Sequence, residues 1–283
     1  MKLALEAKHD FRVHGRRLLK AALEVALPLT ERCTGFHTAR GDNLRNRLKM
    51  LAGTYETEEI ELMRQFLKPR QVILDVGANV GYLTRFFGRA TGPDGKVYAF
   101  EPNPLIFSLL SRNVANLKQV SVFNFGLSSS AGAFPLFLAG NNHSVASFAK
   151  GYPAIHLAFH ENVEPGSIQA KVVIGDEFLS REGIGRVDLI KIDVEGWEVN
   201  ALSGLEKTIA ASKDLTIFCE YNPAAQQCAG YSQDELLDWL FDGQFTVAYP
   251  ESGRLHALSR DSIDQFKEKL GGRGYTTLLA RKT

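Results

Sequence analysis

Apolar residues in this chain follow two alternating periods. Val72–Asp75, Lys96–Glu101, Val120–Phe125, Val187–Asp193 and Leu215–Glu220 are short, mostly apolar runs that read as buried strands. Segments of helical spacing lie between them, beginning near Gly81, Asn103 and Glu195. Asn103-Pro104 is a helix start, a capping Asn followed by proline at the first helical position. The alternation predicts an α/β fold with a doubly wound, mostly parallel sheet. Tyr231–Phe241 then reads as a helix capped by Ser232, and Phe245–Tyr249 and Tyr275–Arg281 as late strands.

Upstream, Leu19, Leu23 and Leu27 recur at i, i+4 and i+8, which predicts a helix over 1–27 ended by Pro28. Residues 32–49 are polar and irregular, with helix expected from Asn43. Thr57–Leu67 reads as a helix with Ile60, Met63 and Leu67 on one side. The expected organisation is a helical and irregular extension over 1–56 and one domain over 57–283. The stretch 139–170 interrupts the alternation and is long for a plain connection. It is read as an insertion near the carboxyl edge of the sheet that shapes an acceptor pocket.

Composition narrows the classes. Of 283 residues, 45% are hydrophobic and 23% charged, ordinary for a globular chain. The net charge of +1 gives no bulk attraction to nucleic acid, and no aromatic-interleaved basic patch stands out. Cys33, Cys219 and Cys228 are too scattered for a disulfide framework, so a reducing cytoplasm is the simpler compartment. No run is long and apolar enough to predict a transmembrane helix. Lys20 and Glu24 interrupt the first apolar stretch, which argues against a signal peptide. Lys2, Lys8, Arg12, Arg16, Arg17 and Lys20 make the 1–27 helix basic and amphipathic. It is read as packing on the catalytic domain or a homodimer partner, ahead of a membrane surface.

The first strand runs into Asp75-Val76-Gly77-Ala78-Asn79-Val80-Gly81, and the second ends in Glu101. Glycines at a strand tip let a ligand approach the backbone, and an acid ending the next strand can take both ribose hydroxyls. The pattern lacks the middle glycine of the dinucleotide fingerprint. Asp75 at the tip also disfavours a pyrophosphate, because like charges repel. A nucleoside carrying positive charge and no phosphate fits better, namely S-adenosylmethionine.

Together with Ala99-Phe100-Glu101-Pro102-Asn103-Pro104 and Ile190-Lys191-Ile192-Asp193-Val194-Glu195-Gly196-Trp197-Glu198, this motif resembles the FkbM-type methyltransferases. Gly53-Thr54-Tyr55-Glu56 resembles the lead-in of that family, and the similarity covers roughly residues 53–250. The resemblance implies a Rossmann-like, class I methyltransferase fold with an antiparallel hairpin at the sheet edge. It also implies S-adenosylmethionine-dependent O-methylation of a hydroxyl on a small molecule, sugar or glycan.

On that basis Gly77 and Gly81 close the backbone over the methionine moiety, Asp75 holds the ammonium directly or through water, and Asn79 adds amide hydrogen bonds. Glu101 takes the ribose, Asn124 and Leu127 flank adenine, and Tyr55 belongs to the donor side. A hydroxyl acceptor needs a base or a metal. Asp193, Glu195, Glu220 and His143 are the catalytic candidates. Glu195 can instead cap the helix that follows it, and Glu198 can face solvent. An Asp193–Glu220 cluster can raise one carboxyl's pKa or bind a divalent cation; a cation is not expected and no metal site is assigned. His156 and His160 stand four apart without a third ligand for zinc. Lys191 reads as snorkelling to the surface. The alternatives kept are an NAD-binding oxidoreductase, a nucleic-acid or protein methyltransferase, and a non-catalytic scaffold.

Overall fold

The computed structural model describes residues 21–140, 142–157, 166–271 and 274–282. Leu19 and the basic part of the first segment lie outside the described residues, as does His160. Helix α1 occupies 21–34 and continues past Pro28, where an end was expected. A proline removes one backbone donor and strains the turn before it, yet the following residues can still bond. Helices α2 (Leu44–Ala52, capped by the Asn43 side chain) and α3 (Thr57–Arg64) follow.

The main sheet has eight strands. Its parallel part comprises β1 (Val72–Val76), β2 (Lys96–Phe100) and β3 (Val120–Phe123) on one side, and β8 (Leu189–Ile192) and β9 (Thr216–Tyr221) on the other. Helices α4 (Tyr82–Thr91) and α5 (Pro104–Val114) connect the first three strands. Strand order reverses at β1, so the chain switches direction above the tips of β1 and β8. Ile73, Leu74, Val97, Phe100, Ile190, Ile192 and Phe218 are all fully buried, which explains why these runs read as continuous apolar blocks.

At the far edge β12 (Thr276–Arg281) lies antiparallel between β9 and β10 (Thr246–Glu251). The antiparallel edge is present as expected. Its hairpin is made by β10 with β11 (Arg254–Leu258), a strand the sequence pattern did not reveal, through a turn with Ser252 at φ 51° and Gly253 at φ 74°. Helix α11 (Glu235–Asp242) is preceded by Asp234 at the cap position, two residues later than the expected Ser232; the Ser232 hydroxyl donates to Glu235 Oε2 at 3.4 Å. Helix α12 (Ile263–Leu270) completes this side.

Between β3 and β8 the chain builds a second, four-stranded sheet: β4 (Gly126–Ser128), β5 (Gly132–Ala139), β6 (Asn142–Ser147) and β7 (Gly166–Ile174). The stretch read as a long connection therefore pairs for much of its length, and the paired region begins before residue 139. Pro135 inside β5 and the polar ends of these strands conceal the alternation. A short helix, α6 (Tyr152–Leu157), returns toward the main sheet.

Candidate active site

Tight approach of backbones shapes the floor of the site. Gly77 (φ 81°) follows β1, and a methyl group there would run into the carbonyl of Asp193 at the tip of β8. Gly81 (φ 85°) precedes α4, and a Cβ there would lie 2.7 Å from Leu110 Cδ1 on α5. Glu101 closes the turn from the next strand. Its Oε2 accepts from the Asn79 N–H at 3.0 Å and its Oε1 from the Asn103 N–H at 2.8 Å. Burial pushes its carboxyl up to about 7, against these two donors. Asn124 donates to the carbonyls of Glu101 (2.8 Å) and Pro102 (3.2 Å), fixing the strand end from behind.

A cavity of about 270 Å³ opens above these tips. Gly77, Asn79, Glu101, Leu127, Asp193, Glu195, Glu220 and Trp197 line it. Tyr55, Glu56, Lys191, His143 and Tyr152 also line it. Lys191 is buried and donates to Asp193 Oδ2 at 3.1 Å. Burial opposes its charge, but Asp193, Asp75, Glu56 and Glu59 outweigh that and hold its pKa above the ordinary lysine value. The expectation that Lys191 snorkels outward is thus overturned: its strand is covered on both faces, and acids surround the ammonium.

Carboxylate oxygens of Asp193, Glu195 and Glu220 lie within 4.8 Å of one another. Burial and the neighbouring carboxylates raise Glu195 and Glu220 well above the usual carboxyl range. Tyr152 bonds Glu195, and the Asn222 amide donates to the Tyr152 hydroxyl at 2.8 Å. Glu195 itself sits in the left-handed region (φ 53°), with its carbonyl taking the Ser147 hydroxyl at 2.5 Å. Trp197 and Phe148, with ring centroids 5.4 Å apart, make an aromatic wall beside this acidic group.

Residues 75–247, more than half of the chain, match the Methyltransferase FkbM domain family. The chain belongs to the FkbM methyltransferase family. Among curated relatives, it is similar to methyltransferase sdnD of Sordaria araneosa, with 34% identity over 48% of this chain and 60% of that one. It is 26% identical to the 2-O-methyltransferase NoeI of Sinorhizobium fredii over 78% of this chain and 94% of that one. With the hexuronic acid methyltransferase AglP of Haloferax volcanii it shares 28% identity over 58% and 61% of the two chains. The chain thus spans about three-fifths of the first and third of these relatives.

Against this FkbM frame, the sequence-predicted residues divide into those on the cavity wall and those behind it. Gly77, Asn79, Glu101, Leu127, Tyr55, His143, Asp193, Glu195 and Glu220 all line the cavity. Asp75 does not. It is fully buried, accepts from the Thr84 hydroxyl of α4 at 2.5 Å, and pairs in register with Lys191 across β1 and β8. A direct contact from Asp75 to a bound ammonium is therefore not built. Asn124 is likewise behind the wall, serving Glu101, and Gly81 is off the wall, packed against Leu110 of α5. His143 is tied to the Glu101 end: its backbone N–H donates to Asp42 Oδ1 at 2.7 Å, and its Nδ1 lies 3.4 Å from the Asn103 amide.

Glu198, rather than Glu195, secures the start of α8 (Glu198–Ser203). It is fully buried, and its Oε1 accepts from the Val194 and Gly196 N–H groups at 3.2 and 3.0 Å. That bond set frees Glu195 to face the cavity. Glu56, Lys191, Tyr152 and Trp197 were not singled out as site residues. Glu56, Lys191 and Trp197 lay within the quoted motifs; nothing local marked Tyr152.

The N-terminal segment is part of this construction. Buried Arg47 binds both oxygens of Glu24 on α1, at 3.0 and 2.8 Å, and the Thr38 hydroxyl at 3.0 Å. Asn113 on α5 donates to the carbonyls of His37 (2.8 Å) and Val80 (2.7 Å), joining the segment to the glycine turn. Among the described residues, no helix is long and apolar enough to cross a membrane.

Proposed function

We propose that this chain is an S-adenosylmethionine-dependent O-methyltransferase acting on a hydroxyl of a small molecule, sugar or glycan. One observation carries the reading: the glycine turn locked to Glu101 and the Asp193–Glu195–Glu220 group line one cavity. The first arrangement suits the donor nucleoside and the second suits the acceptor hydroxyl. The similarity to a 2-O-methyltransferase and a hexuronic acid methyltransferase supports the same class.

In this reading S-adenosylmethionine supplies an activated methyl group. Glu101 and the Asn79 turn hold the ribose, Leu127 packs near the base, and the cavity aligns the acceptor oxygen with the methyl carbon. A carboxylate of the acidic group takes the hydroxyl proton as the oxygen–carbon bond forms and the sulfur–carbon bond breaks. Asp193 is the preferred base. Lys191 fixes its orientation, and the raised Glu195 and Glu220 carboxyls can carry the proton onward. His143, held at the Glu101 end, is assigned to positioning. The mechanism needs no cation, so protein treated with a chelator should keep its turnover.

The unpaired Cys33, Cys219 and Cys228 support a reducing, cytoplasmic setting. Incubation with methyl-labelled S-adenosylmethionine and a panel of hydroxylated acceptors tests the function. Label appearing as an ether supports it; label appearing only on amines or nucleic acid contradicts it.

A further inference from the structure

We propose that Glu56 receives the α-ammonium of S-adenosylmethionine. The inference rests on the donor site described above. In that donor reading the ribose goes to Glu101, just past β2, and the amino-acid end goes past the Gly77 turn of β1, which packs against the Asp193 carbonyl at the tip of β8. The carboxylates there are Glu56 and the acidic group begun by Asp193.

Two alternatives are already committed. Asp75 is sealed beneath the wall with the Thr84 hydroxyl on one oxygen. Asp193 is paired with Lys191 and clusters with Glu195 and Glu220. Glu56 lines the cavity, accepts from its neighbour's Tyr55 hydroxyl and shares the charge of Lys191 with Asp193, and a carboxylate has lone pairs for a further donor.

Its backbone supports a functional reading. Glu56 is held at φ 49° and ψ 38°, a left-handed conformation that residues with a Cβ rarely keep. The surrounding contacts enforce it. The Thr54 N–H reaches the Lys49 carbonyl at 2.9 Å, the Tyr55 ring packs edge-on against Tyr82 at 5.4 Å, and the Tyr82 hydroxyl bonds the Tyr55 backbone. Tyr82 directly follows Gly81, so Glu56 is fastened to the donor turn itself. Burial, then Glu59, pushes its carboxyl up to about 8, so a cation seated beside it would ionise it.

The test compares two probes on the full chain by calorimetry. S-adenosylhomocysteine carries the ammonium; 5′-methylthioadenosine lacks the whole amino-acid end. For Glu56→Gln the expected result is roughly tenfold or greater loss of affinity for the first probe and unchanged affinity for the second. Equal loss for both, or no loss for either, overturns the proposal. Should Glu56→Gln fail to fold, Glu56→Gly decides, since glycine accepts this backbone conformation without strain. Failure of the unaltered protein to bind S-adenosylhomocysteine would instead remove the donor site as a whole.

Discussion

The carboxylate of Glu101 holds the backbone N–H of Asn79 at 3.0 Å, so the acid ending β2 shapes the turn that ends β1. One residue thus prepares the loop, and in the proposed function its remaining lone pairs go to the ribose. Glu101→Ala should lower S-adenosylhomocysteine affinity by tenfold or more, about 1.4 kcal/mol. Glu101→Gln, which gives up one of the two acceptors, should lower it less. Calorimetric titration of both variants checks the order; equal affinities would separate Glu101 from the donor site.

Lys191 is the buried cation among Asp193, Asp75, Glu56 and Glu59. Removing one partner of a buried ion pair leaves the others uncompensated, a cost of about 3 kcal/mol or more. Lys191→Met should therefore lower the urea midpoint and the melting temperature at neutral pH. A variant as stable as the original would show that water or protons already neutralise the group.

Asp193→Ala should abolish turnover while S-adenosylhomocysteine still binds. A lost general base costs on the order of 100- to 10,000-fold. Single-turnover kinetics with labelled donor checks this. Turnover at the original rate would remove Asp193 from the mechanism.

Stability should depend on pH in a direction set by the buried acids. Burial raises Glu101 and Glu198 to about 7 and Glu56 to about 8 from an ordinary 4.5. Between 4.5 and these values the folded chain holds protons that the unfolded chain has released. Stability attributable to these groups therefore falls as pH rises through that window. Melting temperatures of the unliganded protein should be higher near pH 6 than near pH 8. The reverse slope would mean that these carboxyls are charged when folded.

The turn proposed to hold the donor was legible in the sequence because its geometry is local. A fully buried apolar run, two glycines and the acid ending the next run describe the crossover between neighbouring parallel strands. Asp75 shows where locality stops. Its burial depends on Thr84, nine positions away on α4, and on its register with Lys191. The same register turned Lys191 from a presumed surface lysine into the centre of an acidic network. Glu198 gave no sign that it, and not Glu195, would hold the start of α8, since either spacing is compatible with a cap. The second sheet was hidden for another reason: β4 has three residues, β5 contains a proline, and neither shows the strict alternation of a half-buried strand.

The central claim is that the cavity holds S-adenosylmethionine. Calorimetric titration of the purified protein with S-adenosylhomocysteine, with NAD in a parallel cell, tests it most directly. The account predicts saturable, micromolar one-to-one binding of S-adenosylhomocysteine and no heat from NAD. Binding of NAD, or of neither nucleoside, would contradict it.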